Sequence, residues 1–174
     1  MRANSLRTAA LFLLTSALSC MNRSTVFAQP NGAMEPTVMR GEEFVLDRKP
    51  FVPGRGSLIV FDHEGQLLFK RVIAVPGDVI EGRNLQVFVN GKVQDEPYIQ
   101  HVGPRPIPPQ FKSLETFGPV TVPQGKLFVA GDNRDYSLDS RNEHFGLISI
   151  GDVRGRPERI VQSVIPGRVG KSLE

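Results

Sequence analysis

From Phe44 onward the chain alternates short apolar runs with turn-forming residues, a pattern that predicts short strands in a mostly antiparallel β domain. The runs predict strands at Phe44–Asp47, Leu58–Asp62, Leu67–Val75, Leu85–Val89, Lys92–Gln94, Val120–Val122, Leu127–Ala130 and Ile160–Val164. Asn90-Gly91 separates two of them and predicts a two-residue hairpin turn, because both residues tolerate positive φ. Val102–Pro109 holds four prolines in eight residues and reads as an extended loop on the rim.

The N-terminus has a different pattern. Thr8–Leu18 is uncharged and largely apolar behind Arg2 and Arg7, which would keep the N-terminus cytoplasmic and send the rest outward. The uncharged stretch to Asn22 spans roughly 22 Å at ~1.5 Å per residue, short against a hydrocarbon core of ~30 Å. Residues 1–28 therefore read as a short hydrophobic helix, either a retained signal-anchor or a signal removed near Ala28, and residues 29–174 as the β-rich domain. Cys20 lies alone in this segment, so no internal disulfide forms; Ala17 stands where a lipid-attachment signal would want a bulky aliphatic residue.

Composition changes the picture in one respect. The net charge of +3 invites a nucleic-acid reading, but Arg2, Arg7 and Arg23 carry all of it. The remainder has equal numbers of basic and acidic residues, 18 of each, and no net basic field to drive phosphate binding. No nucleic-acid partner is expected.

Candidate chemistry centres on Lys70. Period-2 alternation places Leu68 and Val72 beside it on one strand face, and an ammonium aimed into apolar surroundings is pressed to lose its proton. The same pattern also fits a strand lysine whose stem covers apolar surface while its head reaches water. Gly131–Arg141 (GDNRDYSLDSR) is rich in Asp and Asn, but Arg134 breaks the calcium-loop spacing, so no metal and no cofactor are expected. His63, His101 and His144 fit neither a metal motif nor a triad and read as solvated loop residues.

Three segments in order, Gly32–Thr37 (GAMEPT), Phe69–Asp78 (FKRVIAVPGD) and Gly131–Arg141, resemble the type I signal peptidases, membrane serine proteases with a Ser/Lys dyad. The resemblance runs from about Val26 to Arg156. It implies the antiparallel, barrel-like β fold of that family. It places Ala33 at the nucleophile's position, Lys70 as general base, and Ser137 as the hydrogen-bonding residue that aims the Lys70 amine. The backbone N–H of Ala33 and the side chain of Asn31 would form the oxyanion hole, and Met34 would line a substrate pocket. Gly131 would leave room for the lysine stem, and Asp139 and Arg141 would form a supporting ion pair, with Arg71 nearby and Asp132 also in support. Asn31, Ser57 and Tyr136 depart from the family pattern.

The implied activity is removal of signal peptides from exported preproteins, with the catalytic domain on the outer face of the bacterial cytoplasmic membrane and lipid as a second partner. With a methyl group at position 33, the chain is expected to be inert as a protease. It is read either as an endopeptidase whose serine is replaced, or as a natural pseudoprotease that binds without cutting.

Overall fold

Three two-residue turns organise the strands. Glu64-Gly65, Asn84-Leu85 and Asn90-Gly91 all adopt positive φ, between 52° and 78°, the backbone twist that closes a tight hairpin. The computed structural model describes residues 25–99, 101 and 116–173. The eleven strands among them are β1 (Thr25–Ala28), β2 (Glu43–Asp47), β3 (Leu58–His63), β4 (Gln66–Ala74), β5 (Val79–Arg83), β6 (Gln86–Val89), β7 (Lys92–Val93), β8 (Phe117–Thr121), β9 (Lys126–Ala130), β10 (Ile148–Ser149) and β11 (Val153–Gln162). They form a seven-stranded sheet in the order β1-β2-β11-β3-β4-β9-β10 and a four-stranded sheet in the order β7-β6-β5-β8, with every pairing antiparallel. The mostly β, antiparallel expectation holds.

Four differences from the sequence pattern have physical causes. Thr25–Ala28, read as the tail of the N-terminal segment, is an edge strand paired with β2, and Phe27 stacks on Phe44 at 5.2 Å. β5 escapes an apolar-run reading because Glu81 and Gly82 interrupt it; a side chain at Gly82 would collide with the Phe117 ring. The last strand begins at Val153 rather than Ile160, since Pro157 and its charged neighbours hide a paired strand that bulges between Pro157 and Ile160. β10 is only two residues long. The N-terminal hydrophobic segment as far as residue 24, and the proline-rich Val102–Pro109, lie outside the described residues.

Both faces of the large sheet are buried. On β3, Leu58 and Val60 pack with Met34, Phe44, Phe69 and Ile160, while Ile59 and Phe61 pack with Val72, Leu127, Val129 and Phe145 on the opposite face. Burying one such phenylalanine contributes roughly 1.5–3 kcal/mol. A third cluster, including Ile73, Ile80, Val89 and Phe128, joins β4 and β9 to the small sheet. This layering positions the site: Leu68 and Val72 belong to the second face, and Lys70 lies between them, paired in register with Ile59.

Candidate active site

Lys70 has 5% of its surface exposed and lines a cavity of about 960 Å³ together with Ala33. Asn31, Leu68, Tyr136, Leu138 and Phe145 complete much of its wall, and His63, Glu64, Gln66, Asn142 and His144 its remaining polar side. Burial pushes the Lys70 amine down to about 8 from 10.5; Asp139 and Asp132 pull it upward while Arg141 presses it further down. Near neutral pH such an amine exchanges protons readily, as a general base must. Its hydrogen bond goes to its own strand, Nζ donating to the carbonyl of Phe69 at 3.2 Å.

The Gly131–Arg141 segment holds the loop that carries Ala33. Asn133 donates from its backbone to the Ala33 carbonyl at 3.1 Å, and from its side chain to the Gly32 carbonyl at 3.0 Å. Asp132 accepts a two-pronged contact from Arg71, at 2.8 and 2.7 Å, and also a hydrogen bond from the Thr37 hydroxyl. Thus one carboxylate ties β4 to the Ala33 loop. The Arg71 guanidinium also lies over the Tyr98 ring at 3.9 Å.

Behind this lies a second buried pair. Asp139 receives Arg141 at 2.8 and 2.9 Å and the backbone N–H of Gly131 at 2.9 Å. Burial disfavours its charge, but Arg141, the Gly131 N–H and the nearby Ser137 hydroxyl together hold its carboxyl below the usual range. Arg141 also donates to the carbonyls of Arg134 and Ser137. Arg134 in turn forms a two-pronged pair with the buried Glu96. The expected Asp139–Arg141 pair is therefore present, and Arg71 is paired with Asp132.

The geometry departs from three expectations. Met34 lies in the core at 0% exposure and does not line the cavity, because its side chain is taken up by Phe44, Leu58 and their neighbours. At Gly131 the closest neighbours are Ser137 and the Ala33 carbonyl: a Cβ there would lie 2.3 Å from Ser137 Oγ and 2.4 Å from the Ala33 oxygen. Ser137 is fully buried, and its hydroxyl makes no conventional hydrogen bond to the Lys70 amine or to any other described group. It approaches Asp139 closely enough to favour that charge, without the alignment of a hydrogen bond.

The third difference concerns the oxyanion donors. The N–H of Ala33 donates to Oδ1 of Asn31 at 3.1 Å, so Asn31 presents an acceptor to the very group it was expected to assist. Gln29 holds that amide in place, donating to Asn31 Oδ1 at 3.1 Å and to the Asn31 carbonyl at 2.9 Å. An amide two residues from a loop N–H readily makes this local contact.

Of the histidines, His101 and His144 are exposed and lie outside the strands, as expected, and His63 departs from the loop reading. His63 ends β3 and stacks on Phe145 at 4.2 Å, His144 lines the cavity, and His101 pairs with Asp135 at 2.9 Å. Asn133, Gln29 and Glu96 were not singled out from sequence. Asn133 sits inside the longest motif, but its backbone partners are a hundred residues away in the chain.

The family model described as signal peptidase, peptidase S26, matches residues 2–161. The chain is 35% identical over 150 residues to signal peptidase I S of Bacillus subtilis (strain 168), covering 82% of this chain and 81% of that protein. It is 38% identical over 136 residues to signal peptidase IB of Staphylococcus aureus (strain COL), covering 71% and 70%. A solved signal peptidase I from Enterococcus faecalis V583 superposes with a TM-score of 0.49 at 33% identity, covering 61% of this chain and 97% of that one.

Proposed function

Because the chain belongs to the signal peptidase family, peptidase S26, we propose that its cavity receives the signal-peptide region of exported preproteins, with Lys70 and Ala33 at the two positions of a Ser/Lys dyad. One observation carries this reading: a buried lysine amine with a lowered proton affinity lines the same cavity as the position-33 side chain.

The chemistry follows from those two positions. A hydroxyl at residue 33 would give its proton to neutral Lys70 as its oxygen attacked the scissile carbonyl carbon. The lysine would then pass that proton to the departing nitrogen, and water would hydrolyse the resulting ester. Ala33 offers a methyl group, so the first step has no attacking atom. In another serine protease, loss of the nucleophile costs on the order of a millionfold in turnover. The chain is inert as a protease in this form.

A second reading, a pseudoprotease that binds without cutting, is favoured by the contact between Asn31 and the Ala33 N–H, which engages a donor that catalysis would need. One experiment separates the two. Ala33→Ser is assayed for cleavage of a preprotein in detergent, with Lys70→Ala added as a control. Cleavage abolished by the control supports the dyad reading; a folded variant that binds but does not cut supports the binding role.

In this reading residues 1–28 anchor the domain at the outer face of the bacterial cytoplasmic membrane, beside lipid and the preprotein. Pairing of Thr25–Ala28 with β2 supports retention, since a cut near Ala28 would detach an edge strand from the sheet. The alternative is an exported soluble protein produced by such a cut.

A further inference from the structure

Lys70 is a buried cation for which the fold supplies no counter-ion. Among the described residues its amine makes one hydrogen bond, to the Phe69 carbonyl, and no ion pair, although an ammonium has three protons to donate. The neighbouring carboxylates are already engaged. Asp139 is held by Arg141 and the Gly131 N–H, and Asp132 by Arg71 and Thr37. Burying an unpaired charge is unfavourable, and a ligand that supplies the opposite charge relieves the cost.

The wall around Lys70 defines what such a ligand would meet. A group that titrates near 8 is mostly protonated at neutral pH, so a ligand meets the amine chiefly as the ammonium. Asn31 turns its oxygen to the Ala33 N–H, and its Nδ2 makes no hydrogen bond among the described residues, which leaves a second donor on the same wall. Leu68, Leu138 and Phe145 supply apolar surface.

We infer that the cavity takes the free C-terminal carboxylate of a peptide, with the Lys70 ammonium as its counter-ion and the Asn31 amide as a further donor. This rests on reading the cavity as a signal-peptide site. An uncut preprotein presents a neutral amide at that point, whereas a released signal peptide ends in a carboxylate. The site is thereby matched to the product of a relative's cut rather than to its substrate.

Binding is coupled to protonation of Lys70, and the other ionisable groups around it are defined. His63 and Glu64 face the cavity from the end of β3 and its turn, Tyr136 from the Gly131–Arg141 segment, and His144 from the segment that follows. Asp132, Asp139 and Arg141 act on the amine electrostatically. Loss of affinity as pH rises through about 8 is the direction expected for a counter-ion at Lys70.

The test uses the full chain in detergent and a fluorescent signal-type peptide with Ala at its last and third-last positions, prepared as the free acid and as the C-terminal amide. At pH 7 anisotropy is expected to give the acid a roughly ten- to hundredfold tighter Kd, a preference that declines above pH 8 and that Lys70→Met abolishes. The Nζ resonance of Lys70 is expected to shift with the acid and not with the amide, which tests the contact without a substitution. Equal binding of acid and amide, a preference that survives Lys70→Met, or an unmoved resonance overturns this inference alone. Failure of both peptides to bind overturns the signal-peptide reading with it.

Discussion

The backbone N–H of Ala33 donates to the side-chain oxygen of Asn31 at 3.1 Å, so a donor on the cavity wall is already committed within its own loop. Oxyanion stabilisation depends on donors free to meet charge as it develops, and loss of one such donor typically costs ~10²–10³ in kcat. The state of this site is therefore set by two residues rather than one. Combining Asn31→Ser with Ala33→Ser is expected to give preprotein cleavage about tenfold or more above Ala33→Ser alone, as measured by initial rates in detergent. Equal rates would show that the Asn31 contact opens without cost.

Lys70 links stability to pH. Its amine titrates at about 8 in the folded chain against 10.5 as the reference. Between those values the unfolded chain binds more protons, so stability rises as pH increases from 8 to 10.5 and is lowest, for this group, below 8. The difference corresponds to up to about 3 kcal/mol. Urea titrations of Lys70→Met at pH 7 are expected to show a more stable protein than the parent, with the gap closing by pH 10. A less stable variant at pH 7 would mean that Lys70 is not carried as a buried, unpaired cation.

Asp132 joins β4 to the Ala33 loop by accepting from Arg71 and Thr37 together. Its side chain is fully buried and that of Arg71 nearly so, so removing the acid strands a cation. Asp132→Ala is expected to cost about 3–5 kcal/mol in a denaturant titration. Thr37→Val, which removes only a hydrogen bond, is expected to cost about 1–3 kcal/mol.

Gly131 lies against Ser137 and the Ala33 carbonyl. Gly131→Ala would set a methyl group within 2.4 Å of both and force the two loops apart. The expected loss is about 1–3 kcal/mol of stability, together with weaker binding of the signal-type peptide. Calorimetry and anisotropy on the same preparation check both, and unchanged binding would dissociate this contact from the site.

Much of the fold was legible because local pattern and tertiary demand agree. Seven of the predicted strands coincide with observed ones to within a few residues, and the Asn90-Gly91 turn has the backbone its composition favours. Where they diverge, a distant group decides. β5 needs Gly82 because the Phe117 ring lies against it, and β11 runs through Pro157 because β2 and β3 flank it. Lys70 was legible for the same reason as the strands: alternation on β4 puts Leu68 and Val72 on its face, and the structure buries Lys70 and Val72 with Leu68 half-buried beside them.

The amino-acid sequence by itself determined the antiparallel β class, the face on which Lys70 lies and the absence of a hydroxyl at position 33, since strand periodicity and residue identity are local properties. Only the tertiary structure decided which groups meet: Asp132 with Arg71, Asn133 with the Gly32–Ala33 backbone, Asn31 turned onto the Ala33 N–H, and Met34 drawn into the core. Hydrogen bonds and close packing act over a few ångströms. Their partners are chosen by which segments the sheet brings together, not by spacing along the chain.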